Sequence, residues 1–425
     1  MIRIQNLKKD PIILLKIIFF ISLIIVTANT IIYFSEKFIF GDRFLFDDLL
    51  MNYCAGKIYS ENISPYGFGL NGTPIPLIEC MKNIMGKDWG MPAYLYSQTY
   101  LKFLSVLSKL DFNILKKIWI LISFISVITI SFFAYKIFPI EKFKIIYPLL
   151  IFFSFGSILF SAMTTGNISN IIYPILAFSL FSLHKEYKFI FSLIITFISL
   201  IKPQLFLFIF MGLFVYEKKF LKYFFLSLLA IILFNFYYLI FENKLFIEYL
   251  NQLKIVNTKE FYFSFNYNLG LKNIIESLPT NFVLLFNSYI SAGPSLLKNF
   301  IFLFFISIIF IGGFIYRLSL KNLELNNECK NKLIALGVII LLLINPSVTI
   351  YDFYLFIPSF FYLVNVIKFD HLPIDQNIFK YLLMIICIIV QDINLPFLLS
   401  AISFFYIIFY SFKNIDVLGV SFVKR

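Results

Sequence analysis

The sequence predicts an all-α polytopic membrane protein with about twelve transmembrane helices and a long first outer loop. Three observations predict it. Sixty per cent of the 425 residues are hydrophobic and only 14% are charged, with a mean hydropathy of +0.88. A soluble chain carries about 25% charged residues, and 58 Phe exceed what one water-excluded core can hold. The apolar residues come in runs near the ~20 that a helix needs to cross a bilayer. The basic residues fall in the short gaps between those runs, which is the Lys/Arg bias of cytoplasmic loops. Secreted, fibrous and disordered classes are excluded by the same composition. The net charge of +13 invites a nucleic-acid partner. None is expected, because no basic cluster is interleaved with aromatics on one polar face. Richness in Ile, Phe, Lys and Asn fits an AT-rich bacterial genome, hence a bacterial inner (plasma) membrane.

The elements follow in order. The first run, 11–35, trails a charged start (Arg3, Lys8, Lys9). It continues past any A-x-A-like cleavage site, so it reads as an uncleaved span with a cytoplasmic N-terminus. Outer loop 36–111 comes next. Spans are then predicted at 112–136, 144–162, 168–184, 188–202, 203–217 and 220–241. A second outer loop, 242–297, precedes spans at 298–317, 332–349, 350–367, 379–391 and 394–412. Several are shorter than a full crossing, as tilted or re-entrant segments are. Segment 188–217 is read as a hairpin broken at Pro203, because merging it would put the later basic loops outside. The cytoplasmic side then holds Lys136, Lys142 and Lys144; Lys185 and Lys188; Lys218, Lys219 and Lys222; Arg317, Lys321, Lys330 and Lys332; Lys368; and Lys413, Lys424 and Arg425. Both termini are cytoplasmic, and 1–425 is one integral-membrane domain.

The first outer loop is long, balanced in charge and rich in aromatics. Within it, 92–108 has the pattern of a helix lying on the membrane surface. Such a loop suits an enzyme with an extracytoplasmic site better than a pore. A transporter, flippase or polymerase of lipid-linked glycans is the alternative, and the lack of an inverted repeat weighs against it. No GxxxxGK[ST], HExxH or CxxC motif is present. The two histidines, His184 and His371, both fall on the cytoplasmic side. Chemistry outside therefore falls to carboxylates, Lys, Tyr and Asn. No metal site and no cofactor is expected.

Asp47 and Asp48 lie just beyond the first span. They read either as a solvated pair at a helix start or as a desolvated carboxylate base at the membrane border. Lys202 stands in an otherwise apolar stretch, either snorkelling to the interface or pairing a phosphate. Ionisable groups at membrane depth are functional candidates by default. Thr164 to Asn167, Lys202-Pro203-Gln204, Asn266-Tyr267-Asn268, and Asn345-Pro346-Ser347 with Asp352 all fall at outer turns in this topology. They share a side with Asp48.

These residues also resemble a family. Asp48, Tyr53, Ala55-Gly56-Lys57 and Ser64-Pro65-Tyr66-Gly67 are similar to the opening pattern of glycosyltransferase family 87, once called domain of unknown function 2029. Thr165-Gly166-Asn167 with Asn170 resembles its Gly-Gln-x-Asn turn, with Asn167 where Gln is usual. Lys202-Pro203 resembles its Lys-Pro motif, and Asn266-Tyr267-Asn268-Leu269 its Asn-Gln-Ser-Leu. Asn345-Pro346-Ser347 resembles its Ser-Pro-x-Ser turn, with Tyr351 and Asp352 where Trp and His are usual. The resemblance covers roughly 12–365. It implies a GT-C-like fold and a polyprenyl-phosphate-sugar donor. The acceptor would be a glycan, glycolipid or other molecule on the extracytoplasmic face. In an inverting displacement Asp48 would be the general base, with Lys202 on the leaving phosphate. Asn167, Gln204, Asn266, Asn268 and Asp352 would orient sugar hydroxyls. Tyr53 and Tyr66 would line the pocket, and Asp47 keeps a smaller claim.

Cys54 and Cys80 share the outer loop, where a disulfide is permitted; two separate structural thiols are the favoured reading. Cys329 and Cys387 read as inert. Trp89 and Trp119 read as interfacial.

Overall fold

The computed structural model describes residues 11–39, 46–67, 74–86, 94–139, 146–153, 158–256, 327–344 and 353–366, with 378, 382 and 385. Among the described residues the chain is all-helical, with no strand. The helices are α1 (Pro11–Ile39), α2 (Asp47–Ser60), α3 (Ile75–Met85), α4 (Gln98–Leu107), α5 (Phe112–Ile137), α6 (Ile146–Phe153), α7 (Ile158–Thr165), α8 (Ser169–His184), α9 (Lys188–Ser199), α10 (Phe210–Tyr216), α11 (Leu221–Phe241), α12 (Asn243–Val256), α13 (Asn327–Ile344) and α14 (Phe356–Val366). They fall into two compact units. The first comprises residues 1–40, 130–160 and 269–425, and the second 41–129 and 161–268.

The helix α5 and the helical run Pro203–Phe241 are long and apolar enough to cross a membrane. Their burial is the reverse of that in a soluble helix. On α5 the buried stripe includes Ser123 and Ser126, while Ile118, Leu121, Phe124, Ile125 and Ile128 are exposed. On α11 only Ser227 and Tyr238 are buried, while Phe225, Leu229, Leu233, Phe236 and Ile240 are each about half exposed. In water such helices would bury the apolar side. Small polar residues such as serine at helix contacts, hydrogen-bonded across or back to the backbone, also let helices pack closely in lipid. Ser192 and Ser227 join α9 to α11 at 2.6 Å, and Asn170 Nδ2 donates to Ser123 Oγ at 2.7 Å.

The predicted hairpin at 188–217 is present as geometry. The α9 helix stops at Ser199, and Pro203, which has no N–H to donate, opens a 3-10 helix over Pro203–Ile209. The returning segment ends where α9 began. Tyr216 Oη donates to the Leu183 carbonyl at 2.7 Å, and Lys188 lies 4.5 Å over the Tyr216 ring. A second reversal falls at Glu217, where φ is 50°. Phe210 and Phe224 then pack with ring centroids 5.2 Å apart. The run Pro203–Phe241 is therefore two antiparallel limbs.

Other boundaries move. Where one span is expected at 144–162, the described residues form α6 and α7, and α7 continues to Thr165. The helix expected at 332–349 begins five residues earlier, at Asn327, where Glu328 in the first turn meets the helix dipole and pairs with Lys332 at 2.7 Å. Lys330 and Lys332 are buried there, not in a solvated loop. Helix α14 starts at Phe356. The spans at 298–317 and 394–412, and all but two residues of 379–391, lie outside the described residues, as does Trp89.

In the second unit, α3 and α4 both pack on α2. Helix α2 buries Leu49 through Gly56 without a break, so it is an interior helix. Gly56 permits this, since a Cβ there would collide with the Leu104 backbone of α4. The 92–108 helix forms only over α4, where Ser97 caps it and Tyr100, Leu101 and Leu104 face inward. Its exposed side carries Phe103 and Val106. Trp119 is fully buried in α5, not interfacial, because it falls on the same stripe as Leu115 and Ser123.

Cys54 and Cys80 form a disulfide, against the favoured reading of two thiols. Sequence spacing could not reveal that α3 folds back on α2. Closing a 26-residue separation removes unfolded-state entropy worth about 3–4 kcal/mol in the loop-closure model. Reduction of the protein is expected to lower its unfolding temperature, and Cys54→Ser/Cys80→Ser to do the same without reductant. A thermal scan with and without dithiothreitol checks this; an unchanged midpoint would refute it.

Candidate functional site

Three of the sequence-predicted residues meet in the second unit, and one turn brings them together. Helix α7 ends at Thr165, and Gly166 reverses the chain with φ 71°, a conformation that glycine adopts without cost. The turn seats against the start of α2. A Cβ at Gly166 would meet Leu49, and the Phe46 N–H donates to the Thr164 carbonyl. Phe46 itself has φ 76°, a left-handed conformation that only a docked partner sustains in a bulky residue. The next residue in the turn, Asn167, is buried. Its Nδ2 donates to Asp48 Oδ2 at 2.6 Å, and its Oδ1 accepts from the Ser169 N–H at 2.9 Å. The amide is thus held at both ends, with its donor aimed at the carboxylate.

Asp48 sits in the first turn of α2 and is half-buried. Burial raises its carboxyl above the usual carboxylate range, against the lowering effects of the Asn167 hydrogen bond and the Lys202 charge. It is not a solvated surface pair. Lys202 is buried rather than snorkelled, at 8% exposure. Its Nζ donates to Ser169 Oγ at 3.3 Å. The cation therefore lies at the start of α8, beside the Asn167 turn, and acts on Asp48 through space. Ser97 Oγ donates to the Leu200 carbonyl, which ties α4 to the tip that carries Lys202.

The remaining predicted residues fall elsewhere. Asp47 shares the first turn and is half-buried, but the Asn167 amide goes to Asp48. Gln204 is half-buried two residues past Lys202 and makes no hydrogen bond to Asp48, Asn167 or Lys202. Tyr53 does not line the cluster. Five residues past Asp48 on a helix of 3.6 per turn, it points well round the axis. Its Oη donates to the Leu110 carbonyl at 3.1 Å, and its ring packs on Phe112. Tyr66 is a lock rather than a pocket wall: it is buried, its Oη donates to the Tyr96 carbonyl at 2.7 Å, and its ring packs on Tyr94 and Tyr249. Asn266, Asn268 and Asp352 lie outside the described residues.

Two neighbours were not anticipated. Asn52 is one helical turn past Asp48, on the same face of α2. That register is readable once a helix is known to start at Asp47. Tyr100 reaches Asp48 from α4, and the Asp48 charge is one cause, after burial, that pushes its phenol up. No linear signal connects 48 with 100.

An open cavity of about 510 Å³ lies further along α2, lined by Tyr59, Asn62, Ser64, Glu242 and Glu248 among others. Beside it Lys102 pairs with Glu242, which fastens α4 to the end of α11. It does not include Asp48.

No protein-family model, curated protein or solved structure matches this chain.

Gly166→Ala is expected to cost about 1–3 kcal/mol, from the Leu49 clash and the unfavourable φ. A neighbouring control, Gly86→Ala, has a positive φ but open space around it, so it carries the conformational cost alone. Thermal unfolding of both variants checks this; equal losses would remove the argument that Gly166 is there for docking.

Proposed function

We propose that the chain is a membrane glycosyltransferase of the GT-C class. It would move a sugar from a polyprenyl-phosphate donor to a glycan, glycolipid or other acceptor on the extracytoplasmic face. The observation that carries the reading is the cluster itself: a partly buried carboxylate held by an amide, with a buried lysine close by. An acceptor hydroxyl must lose its proton as it attacks the anomeric carbon, and polyprenyl phosphate must leave with negative charge. Asp48 suits the first task, because a carboxyl raised by burial is a stronger base than one in water. Lys202 suits the second, as a fixed cation where charge develops. Asn167 keeps the base aimed and ionised. The bond from anomeric carbon to phosphate oxygen breaks as the bond to the acceptor oxygen forms, and the proton ends on Asp48.

The setting supports the same reading. Unit two has two unlike ends. Asp48, Asn167, Lys202 and the tip at Leu200 gather at one. Lys185, Lys188, Lys218 and Lys219 gather at the other, around the Tyr216–Leu183 contact. Lysine-rich turns mark the cytoplasmic side, so the cluster belongs outside, where a flipped lipid-linked donor is met. The lipid-facing apolar sides of α5 and α11 match a multi-pass protein of a bacterial plasma membrane. The polar cavity around Tyr59, Asn62 and Glu248 lies on the same helix as the base and fits a hydroxyl-rich acceptor chain. A metal has no part in this scheme.

Asp48→Asn is expected to lower turnover by about 10²–10⁴-fold while donor binding persists. Purified protein in nanodiscs, a polyprenyl-phosphate hexose and mass spectrometry of released polyprenyl phosphate make the measurement. Full turnover by that variant would remove the base assignment. Asn167→Ala should move the acidic limb of the pH–rate profile to higher pH. The lost hydrogen bond favoured the carboxylate, so its loss raises the pKa further, and the base works only when ionised.

A further inference from the structure

The face of α2 that carries Asp48 continues through Asn52 to Gly56, four residues apart at each step, so all three share one side of the helix. That side meets α4. Gly56 lies against Leu104, and Asp48 is within electrostatic reach of Tyr100, so Asn52 falls between them. Asn52 is 0% exposed, yet neither its Nδ2 nor its Oδ1 has a hydrogen-bond partner among the described residues. Tyr100 is 1% exposed, and its Oη has none either. A buried amide left unpaired costs roughly 1–3 kcal/mol per group, and native interiors rarely tolerate it without a reason. All three belong to the α2–α4 contact, on the side of α2 that carries Asp48.

Their chemistry selects what can pair with them. A carboxamide has a donor and an acceptor side by side, and a phenol is both at once. A phosphate offers acceptors only and leaves Oδ1 unmet. A cation offers no acceptor and leaves Nδ2 unmet. A sugar hydroxyl both donates and accepts, and two on one ring meet all three atoms. An acidic sugar there would be repelled by the charged form of Asp48.

We infer that Asn52 and Tyr100 form, next to Asp48, a subsite for the hydroxyls of a neutral sugar, the transferred ring of the donor. The site then has two ends of different character: Lys202 faces the anion, Asn52 and Tyr100 face the hydroxyls, and Asp48 stands between them. This assignment rests on the donor reading proposed above.

Two measurements on purified full-length protein separate the inference from that reading. The first needs no ligand. If the Tyr100 hydroxyl is unpaired in the resting protein, Tyr100→Phe leaves the unfolding temperature unchanged or raises it. Asn52→Leu, which keeps the branching and removes the orphan amide, lowers it by less than Asn52→Ala, which also leaves a cavity. A clear drop for Tyr100→Phe means that the hydroxyl has a structural partner, and the subsite falls. The second measures binding of undecaprenyl phosphate and of undecaprenyl-phosphate mannose. Tyr100→Phe and Asn52→Leu should weaken the sugar-bearing lipid about 10-fold or more and leave undecaprenyl phosphate unchanged. Equal weakening of both lipids, or of neither, overturns the subsite while the donor reading stands. Wild-type protein that binds neither lipid sinks the donor reading and the sugar assignment with it.

Discussion

The candidate site depends on one docking contact, the turn after α7 against the first turn of α2. It is built from backbone and from absence of side chain: the Phe46 N–H on the Thr164 carbonyl, and Gly166 flush with Leu49. Only with that contact made does Asn167 reach Asp48. A carboxylate drawn out of water costs several kcal/mol unless hydrogen bonds replace what it loses. The charged form is kept by Asn167 at 2.6 Å and by Lys202 at longer range. The strained φ at Phe46 is the local cost of starting α2 at that point, offset by the docked turn.

The contact also explains why the surroundings are so fully buried. Helix α2 is interior along most of its length, and the disulfide to α3, the Gly56–Leu104 approach and the Lys102–Glu242 pair hold the loop helices as one body. A loop that merely joined two spans would need none of this. The apolar surface instead lies on α5 and α11, where serines face in and isoleucines and phenylalanines face out. Serines turned inward with isoleucines and phenylalanines turned outward is the arrangement expected of a helix that faces lipid.

Much of the cluster was legible in the sequence, and for a physical reason. Asp48, Asn167 and Lys202 each interrupt or border an apolar run, and a polar residue in such a place is costly unless it has a partner. The hairpin at Pro203 was legible because proline ends a helix and because charge sorted the loops. What was not legible depends on rotation or on folding back. Tyr53 shares a helix with Asp48 but points well round its axis. Tyr66 fills a tyrosine cluster whose members come from three separate segments. Trp119 lies on the buried stripe of α5, a fact of helix phase, and the Cys54–Cys80 bond needs α3 to return along α2. Tyr100 joins Asp48 across two helices that nothing in the linear pattern pairs.

The placement of the lysine shows why the cluster is poised rather than merely paired. A lysine in direct contact with Asp48 would hold the carboxylate low and make it a weak base. Instead the Lys202 ammonium donates to a neutral hydroxyl, Ser169 Oγ, and the carboxylate is held by a neutral amide. Each charge is thereby oriented without being neutralised by the other. Burial raises the Asp48 carboxyl while the amide and the distant cation pull it back. The same amide is anchored through Ser169, the residue whose hydroxyl meets the lysine. One short segment therefore serves both charges: Asn167 holds the carboxylate, and Ser169, two residues on, meets the ammonium.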